Sequence, residues 1–313
     1  MSAPTVLATR EWRARGERHR ARVDELIGPY VRARRRGIKH PVIDFLFTYY
    51  AARPAQVRRW HPGPGVVLVG ADEYLSLRGY HRVGSGATVD PAFLSKRSGA
   101  VAATEALLRA TARRSARFGC FGLHEWAMVY RTDETRHSLP LRLGAAGTDA
   151  VVEQMPLRCT HFDAFRFFTD DARPRNELPL RRDRQIDDEQ PGCLHATMDL
   201  YRACLQLSPL IDSDLLLRCF ELALRARELD MRASPYDLRA LGYEPVPIET
   251  AAGRAQYVRE QSAIADDGAV LRDIVADRCT DLLAADHRRD FPTPASRPDH
   301  PASSGLTGMP VGH

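Results

Sequence analysis

The chain has 313 residues, 44% of them hydrophobic and 27% charged, with a net charge of +5. This balance is typical of a soluble globular protein with a sizeable core. No apolar run approaches the roughly 20 residues that span a bilayer, and the N-terminus lacks a signal-peptide core, so we expect a cytoplasmic protein with no membrane partner.

Arginine carries the basic excess, since Lys39 and Lys96 are the only lysines. Arginine binds phosphates through paired hydrogen bonds, which fits an anionic partner, although a GC-rich coding sequence would enrich arginine equally. The six cysteines form no Cys-x-x-Cys pair, so neither a zinc ribbon nor a disulfide framework is expected.

The N-terminal half predicts two helices and one strand before a less regular stretch. Residues 10–36 predict an Arg-rich helix whose apolar stripe is formed by Trp12, Val23, Leu26, Ile27, Tyr30 and Val31. Residues 41–52 predict a second helix and residues 66–69 a short strand. Residues 81–99 are expected to form a loop, and residues 104–117 a further helix.

The C-terminal half predicts mainly helices. The polar stretch 169–192 predicts a long surface loop. Helices are expected at residues 193–207, from 213 to about 229 and from 251 to about 285, with a short strand at 244–249. Asp212 or Ser213 is expected to cap the second of these helices, and Thr250 the third.

These elements predict a mainly α fold with a few short strands, of the α+β class. We expect a flexible N-terminus at residues 1–9, a single globular domain at 10–286 and a disordered tail at 287–313, where Pro, Ser, Gly and Asp dominate.

Three segments place a histidine and a carboxylate among large aromatic residues: His124 with Glu125, His161 with Asp163, and His195 with Asp199. Burying such groups without partners costs several kcal/mol, so a purely structural core avoids them. The clusters therefore predict a polar site with aromatic walls. The structural alternatives are plain core packing for the first pair, a salt bridge of Asp163 with Arg158 or Arg166 for the second, and a buried hydrogen bond for the third.

Local periodicity predicts how these residues are arranged. On a strand, His161, Asp163, Phe165 and Phe167 would share one face. His195 and Asp199 share a helix face, and so do Trp126 and Tyr130, which predicts an aromatic wall.

A further group of charges, Glu228, Asp230 and Arg232, lies at a predicted helix end. Acids there oppose the helix macrodipole, which indicates either a specific partner or an ion-pair network with nearby arginines.

Several common catalytic motifs are absent from the sequence. It contains no phosphate-binding loop, no Gly-x-Gly-x-x-Gly motif after a strand, no Gly-x-Ser-x-Gly elbow and no His-Glu-x-x-His motif. These absences argue against NTPases, dinucleotide dehydrogenases, α/β-hydrolases and zincin proteases.

Several motifs carry a resemblance to a known family. They are Lys39-His-Pro-Val-Ile-Asp-Phe-Leu-Phe-Thr-Tyr-Tyr50, Trp60-His-Pro-Gly63, Gly122-Leu-His-Glu-Trp-Ala-Met-Val-Tyr130, Thr160-His-Phe-Asp-Ala-Phe-Arg-Phe-Phe168, Gln190-Pro-Gly-Cys-Leu-His195 and Glu228-Leu-Asp-Met-Arg-Ala-Ser-Pro-Tyr-Asp237. Over residues 10 to 275 the chain resembles actinobacterial proteins commonly labelled 3-methyladenine DNA glycosylase. The resemblance implies a hydrolase of base-excision repair, of a type without the helix–hairpin–helix signature.

That activity would need a carboxylate that stabilises oxocarbenium character and orients the attacking water. Asp163 is the first candidate for this role and Glu125 the second, with His161 or His124 orienting the acid or the water. Such an enzyme would need no metal.

The lesion would be extruded into a pocket, where aromatic walls bind a cationic base. The candidate substrate-binding residues are Trp126, Tyr130, Phe165, Phe167, His195 and Asp199. The Arg-rich helix at residues 10–36 is the candidate for holding DNA phosphates.

Two alternatives use the same residues. A metal-dependent oxygenase or hydrolase acting on a small molecule would bind iron, manganese or zinc through ligands drawn from His124, Glu125, His161, Asp163, His195 and Asp199. A non-enzymatic protein would bind a ligand in the aromatic pocket.

Overall fold

The N-terminal part forms a small sheet supported by a long helix. The computed structural model describes residues 4–290. Four strands pair in the order β1-β2-β4-β3, namely β1 (Thr5–Leu7), β2 (Val66–Val69), β3 (Tyr80–Val83) and β4 (Gly86–Val89). Strand β1 runs parallel to β2, whereas β4 runs antiparallel to both of its neighbours.

Helix α1 (Thr9–Arg35) is tied to this sheet by its first turn. The Thr9 hydroxyl and the Trp12 indole both donate to the Val69 carbonyl, at 2.8 and 2.9 Å. The buried side chains of α1 include four of the six predicted stripe residues: Trp12, Val23, Ile27 and Tyr30. Leu26 and Val31 are partly buried, so the predicted stripe is confirmed.

Helices form most of the remaining structure: α2 (Ile43–Thr48), α3 (Pro54–Arg58), α4 (Asp72–Leu75), α5 (Pro91–Ser95), α6 (Ser98–Ala112), α7 (Leu123–Ala127), α8 (Gly144–Gln154), α9 (Phe162–Phe165), α10 (Gln185–Asp188), α11 (Leu194–Leu207), α12 (Ser213–Arg232) and α13 (Ala251–Asp290). Short 3-10 helices lie at Arg173–Arg175, Arg182–Arg184 and Arg239–Leu241. Helices α6, α11, α12 and α13 pack into one layer around a shared hydrophobic core. The predicted fold class, mainly α with a few strands, is confirmed.

The two predicted caps begin the two long C-terminal helices. The Asp212 carboxylate accepts from the Leu215 amide at 3.0 Å, and the Thr250 hydroxyl accepts from the Gly253 amide at 3.0 Å. Each cap satisfies an amide that has no partner within its own helix, so these helix starts could be read from the sequence.

Several predicted boundaries were wrong. Residues 81–99 are not a loop, because most of β3, all of β4 and α5 lie there. The β3–β4 hairpin has no clear apolar alternation, because β4 begins with Gly86, which has no side chain. Glycine is needed there, since a Cβ atom would lie 2.7 Å from the Leu68 carbonyl oxygen. Residues 244–249 form no strand, and residues 5–7 of the predicted flexible N-terminus form β1.

The C-terminal boundary also differs from the prediction. Residues 287–290, predicted to begin a disordered tail, belong to α13, and residues 291–313 of that tail lie outside the described residues. Among residues 4–290, no helix has the length and apolar character needed to cross a membrane.

Candidate metal centre

The three predicted His and carboxylate clusters converge in the helical layer. His124 lies on α7, His161 directly precedes α9, and His195 lies in the first turn of α11. A fourth element, the C-terminal end of α12, adds Arg227 and Asp230. Helix α7 is one short turn after Gly122, whose φ of 74° is left-handed, and all five of its residues are buried.

The three imidazoles form a buried row with His195 in the middle. The His195 ring meets the His124 ring edge-on, with centroids 4.5 Å apart, and stacks on the His161 ring at 5.2 Å. All three side chains are at most 5% exposed. Burial and the neighbouring His124 lower the pKa of His195 well below its usual range, so this ring is a neutral nitrogen donor at neutral pH.

At one end of the row, His124, His195 and Asp230 form a group that we call the Asp230 triad. One donor atom from each residue lies within 4.8 Å of the others. His124 Nε2 lies 2.8 Å from Asp230 Oδ1, yet neither atom is in hydrogen-bond geometry with any partner. Burial disfavours charge on His124, but the Asp230 carboxylate outweighs it and raises the pKa of His124.

At the other end, His161, Glu189 and Asp199 form the Glu189 triad. His161 Nδ1 lies 3.1 Å from Glu189 Oε1, and His161 Nε2 lies 3.8 Å from Asp199 Oδ2. The carboxylate of Asp199 is satisfied at both oxygens, because Tyr50 donates to Oδ1 at 2.8 Å and Arg202 to Oδ2 at 3.2 Å.

Arg227 is the buried cation of the site. Its Nη1 donates to Glu125 Oε1 at 2.6 Å and to Asp230 Oδ2 at 2.7 Å, and its guanidinium lies 4.3 Å above the Phe45 ring. Glu125, predicted as a catalytic acid, is therefore held in an ion pair, although it does line the pocket described below.

Asp163, the first candidate for a catalytic carboxylate, is surrounded by arginines. It accepts hydrogen bonds from Arg182 and Arg202, and Arg166 lies 3.4 Å away. Burial alone would favour the neutral acid, but Arg182 and its neighbours lower the pKa of Asp163 to about 2. A carboxylate with this many donors is a weak base for activating water.

A pocket of about 460 Å³ opens beside the Asp230 triad. Its buried lining residues include His195, Glu125, Arg227, Asp163 and Met128. Its less buried lining residues include Lys39, Asp44, Phe45, Tyr49, Arg136, Phe167 and Leu241. Of the described residues, His195 is the member of the imidazole row that reaches this pocket, since His161 lies behind it.

Several predicted substrate-binding residues lie elsewhere. Trp126 is fully buried and donates to the Ala233 carbonyl, and Tyr130 packs against α8, where it donates to Glu153. Phe165 is partly buried against the core and does not line the pocket. The predicted strand face is wrong as well, because Phe162–Phe165 form α9 and only Asp163 and Phe167 of the predicted set line the pocket.

The sequence prediction assigned no site role to Arg227, Glu189 or Tyr50. Asp230 is visible in the sequence as an acid that opposes the helix macrodipole. The ion pair with a nearby arginine that this position predicts is confirmed, because Arg227 pairs with Asp230. Asp199 and His195 share a helix face, but they belong to different triads. Asp199 is part of the Glu189 triad, whereas His195 is part of the Asp230 triad.

Comparisons with family models, with curated proteins and with solved structures found no match to this chain.

Proposed function

We propose that the protein is a metal-dependent enzyme that acts on a small molecule in the pocket beside His195. The metal ligands are the three residues of the Asp230 triad. Two imidazoles and one carboxylate make the donor set that non-haem iron enzymes use, and it also suits manganese and zinc.

The observation that carries this proposal is the pair of atoms His124 Nε2 and Asp230 Oδ1. Both are buried, and the contact of 2.8 Å between them is an ion pair whose angles do not meet hydrogen-bond geometry. Buried polar atoms in proteins nearly always have partners, so such a pair needs an explanation. A shared cation supplies one, because a ligand lone pair points at the ion and not at the neighbouring ligand.

The local charge supports the same assignment. Two buried carboxylates, Glu125 and Asp230, share the single guanidinium of Arg227. The second negative charge needs a second cation, because an unbalanced buried charge is very costly. Protonated His124 supplies that charge in the metal-free protein, and a bound cation would take its place when His124 ligates it as a neutral ring.

The Glu189 triad fits a supporting role. Arg202 balances one of its acids, and Glu189 raises the pKa of His161 against the opposing effect of burial, so this triad carries its own cations. His161 stacks on His195 and thereby fixes the plane of the ligand ring. Such outer contacts orient ligands in many metal sites.

A divalent ion at this position would act as a Lewis acid or as a redox centre next to the substrate. The protein contributes the buried side chains around the ion, the orientation of His195, and the ion pair that holds Glu125 at the pocket. Cys120 Sγ lies 3.6 Å from His124 Nδ1 and so contacts the ring on the side away from Asp230.

Elemental analysis of purified protein tests this proposal. We expect about one equivalent of iron, manganese or zinc per chain, removal by a chelator, and recovery when the chelated protein is titrated with each ion. Protein that retains no metal and shows no binding of these ions by calorimetry would contradict it.

A second candidate is the alkylpurine glycosylase that the sequence resemblance implies. The observation in its favour is that Asp163 and Phe167, the predicted acid and aromatic wall, both line the pocket. DNA binding by α1 stays a prediction, and Arg15, Arg22 and Arg34 of that helix already form ion pairs with acids. A base-release assay on methylated DNA decides, with Asp163→Asn as the variant that should lose excision but keep DNA binding.

A further inference from the structure

We propose that the substrate is a small organic anion with an apolar body, and that Lys39 and Arg136 bind its anionic group. The inference rests on the proposed function only in that the pocket beside His195 is taken as the substrate site. It adds the charge, the polarity and the direction of the bound molecule.

The first argument is the set of unpaired cations. Lys39 and Arg136 both line the pocket and are exposed. Among residues 4–290, neither side chain forms an ion pair or a hydrogen bond, whereas Arg227 is paired with Glu125 and Asp230 through its Nη1. Two free cations at one opening favour an anionic ligand and raise its local concentration.

The acids of the pocket do not offset these cations. Asp44 accepts from the Tyr30 hydroxyl at 2.8 Å and from the His40 amide at 2.7 Å. Glu125 is paired with Arg227, and Asp163 is surrounded by arginines. A cationic ligand would find no free carboxylate among these groups.

The aromatic walls give the second argument. The guanidinium of Arg136 lies 4.1 Å from the centroid of the Phe167 ring, and that of Arg166 lies 4.5 Å from it. Arg227 covers the ring of Phe45 in the same way. Because arginines already occupy the electron-rich faces of these rings, the walls offer apolar contact and not a free cation–π site.

Depth sets the direction of the ligand. Lys39 and Arg136 are exposed, whereas His195, Glu125 and Arg227, which line the same pocket, are buried. An anionic group held by the exposed pair therefore leaves the apolar body to extend along Met128 and Phe167 towards His195.

Binding of three matched probes tests the inference. 3-Phenylpropanoate, 3-phenylpropan-1-ol and 3-phenylpropylamine have the same body and differ in charge. By calorimetry we expect the acid to bind about tenfold more tightly than the alcohol, and the amine most weakly. Arg136→Gln and Lys39→Gln should each weaken binding of the acid about threefold to tenfold and leave the alcohol unchanged.

Two control variants match these changes. Lys96→Gln removes the other lysine of the chain, and Arg113→Gln removes an exposed arginine at the end of α6, and neither residue lines the pocket. Equal binding of the three probes, tighter binding of the amine, or no binding of any probe at millimolar concentration would overturn the inference. An equal loss of affinity in the control variants would do the same.

The same samples separate this inference from the proposed function. Protein that retains no metal and binds none of the three ions, but still prefers the acid through Arg136, would contradict the metal centre and leave the anion site in place. Protein that holds one equivalent of metal but binds the three probes alike would retain the metal centre and lose the anion site.

Discussion

The carboxylate of Asp230 faces the imidazole of His124 at 2.8 Å, in the last turn of a helix whose dipole disfavours an acid at that point. Its other oxygen is held by Arg227. An acid in this unfavourable place, with one oxygen lacking a hydrogen bond, is the feature from which the proposed metal centre follows.

Loss of the central ligand should abolish metal binding. We expect His195→Gln to retain less than about a tenth of the wild-type metal after purification, since outer-shell changes alone already cost 10-fold to 100-fold in affinity. His81→Gln, which changes a histidine of β3 outside both triads, is the control. Elemental analysis of both variants is the measurement, and full metal content in His195→Gln would contradict the assigned ligand set.

Removal of the buried guanidinium should destabilise the fold. Arg227→Met leaves Glu125 and Asp230 buried without their shared partner, which should lower the free energy of unfolding by about 3–5 kcal/mol. The double variant Arg227→Met with Glu125→Gln should be less destabilised than Arg227→Met alone, because one of the stranded charges is gone. Urea unfolding of these two variants and of Glu125→Gln completes the cycle, and purely additive effects would show that Arg227 and Glu125 are not coupled.

Acid should destabilise the N-terminal part through His61. Burial, with a contribution from Arg59, lowers the pKa of His61 to about 4, whereas the unfolded chain titrates near 6.5. Between these values the unfolded chain binds more protons, so stability falls as the pH falls through this window, by up to about 3 kcal/mol. His61→Gln should lose correspondingly less stability between pH 7 and pH 4, and identical losses in urea unfolding would refute this.

The start of α13 should not tolerate a side chain at Gly253. A Cβ atom there would lie 1.9 Å from the Pro247 carbonyl oxygen, so Gly253→Ala must displace backbone and should cost about 2 kcal/mol or more. Gly99→Ala in α6 is the control, because nothing lies within 4 Å of its Cβ position, and it should stabilise by about 0.5 kcal/mol. Thermal unfolding of the two variants should therefore shift in opposite directions.

The long helices α1, α11, α12 and α13 and two of their caps were predictable because their causes are local. Asp212 and Thr250 cap the helices that follow them through bonds to amides three residues away. The apolar stripe of α1 follows from the helical period, and the three His and carboxylate clusters were visible because such residues are rarely buried among aromatics without a role. The hairpin at 80–89 escaped because its pairing depends on the close approach of Gly86 to β2.

The partners of each site residue were decided only by tertiary packing. His195 and Asp199 share a helix face, yet they belong to different triads because α12 brings Asp230 to one side and the segment after α10 brings Glu189 to the other. Trp126 adjoins Glu125 in sequence but points into the core, because neighbours on a helix point about 100° apart. The sequence by itself determined which residue types are present and where the long helices α1, α11, α12 and α13 begin to within a residue, and long-range contacts between helices decided which of those residues meet.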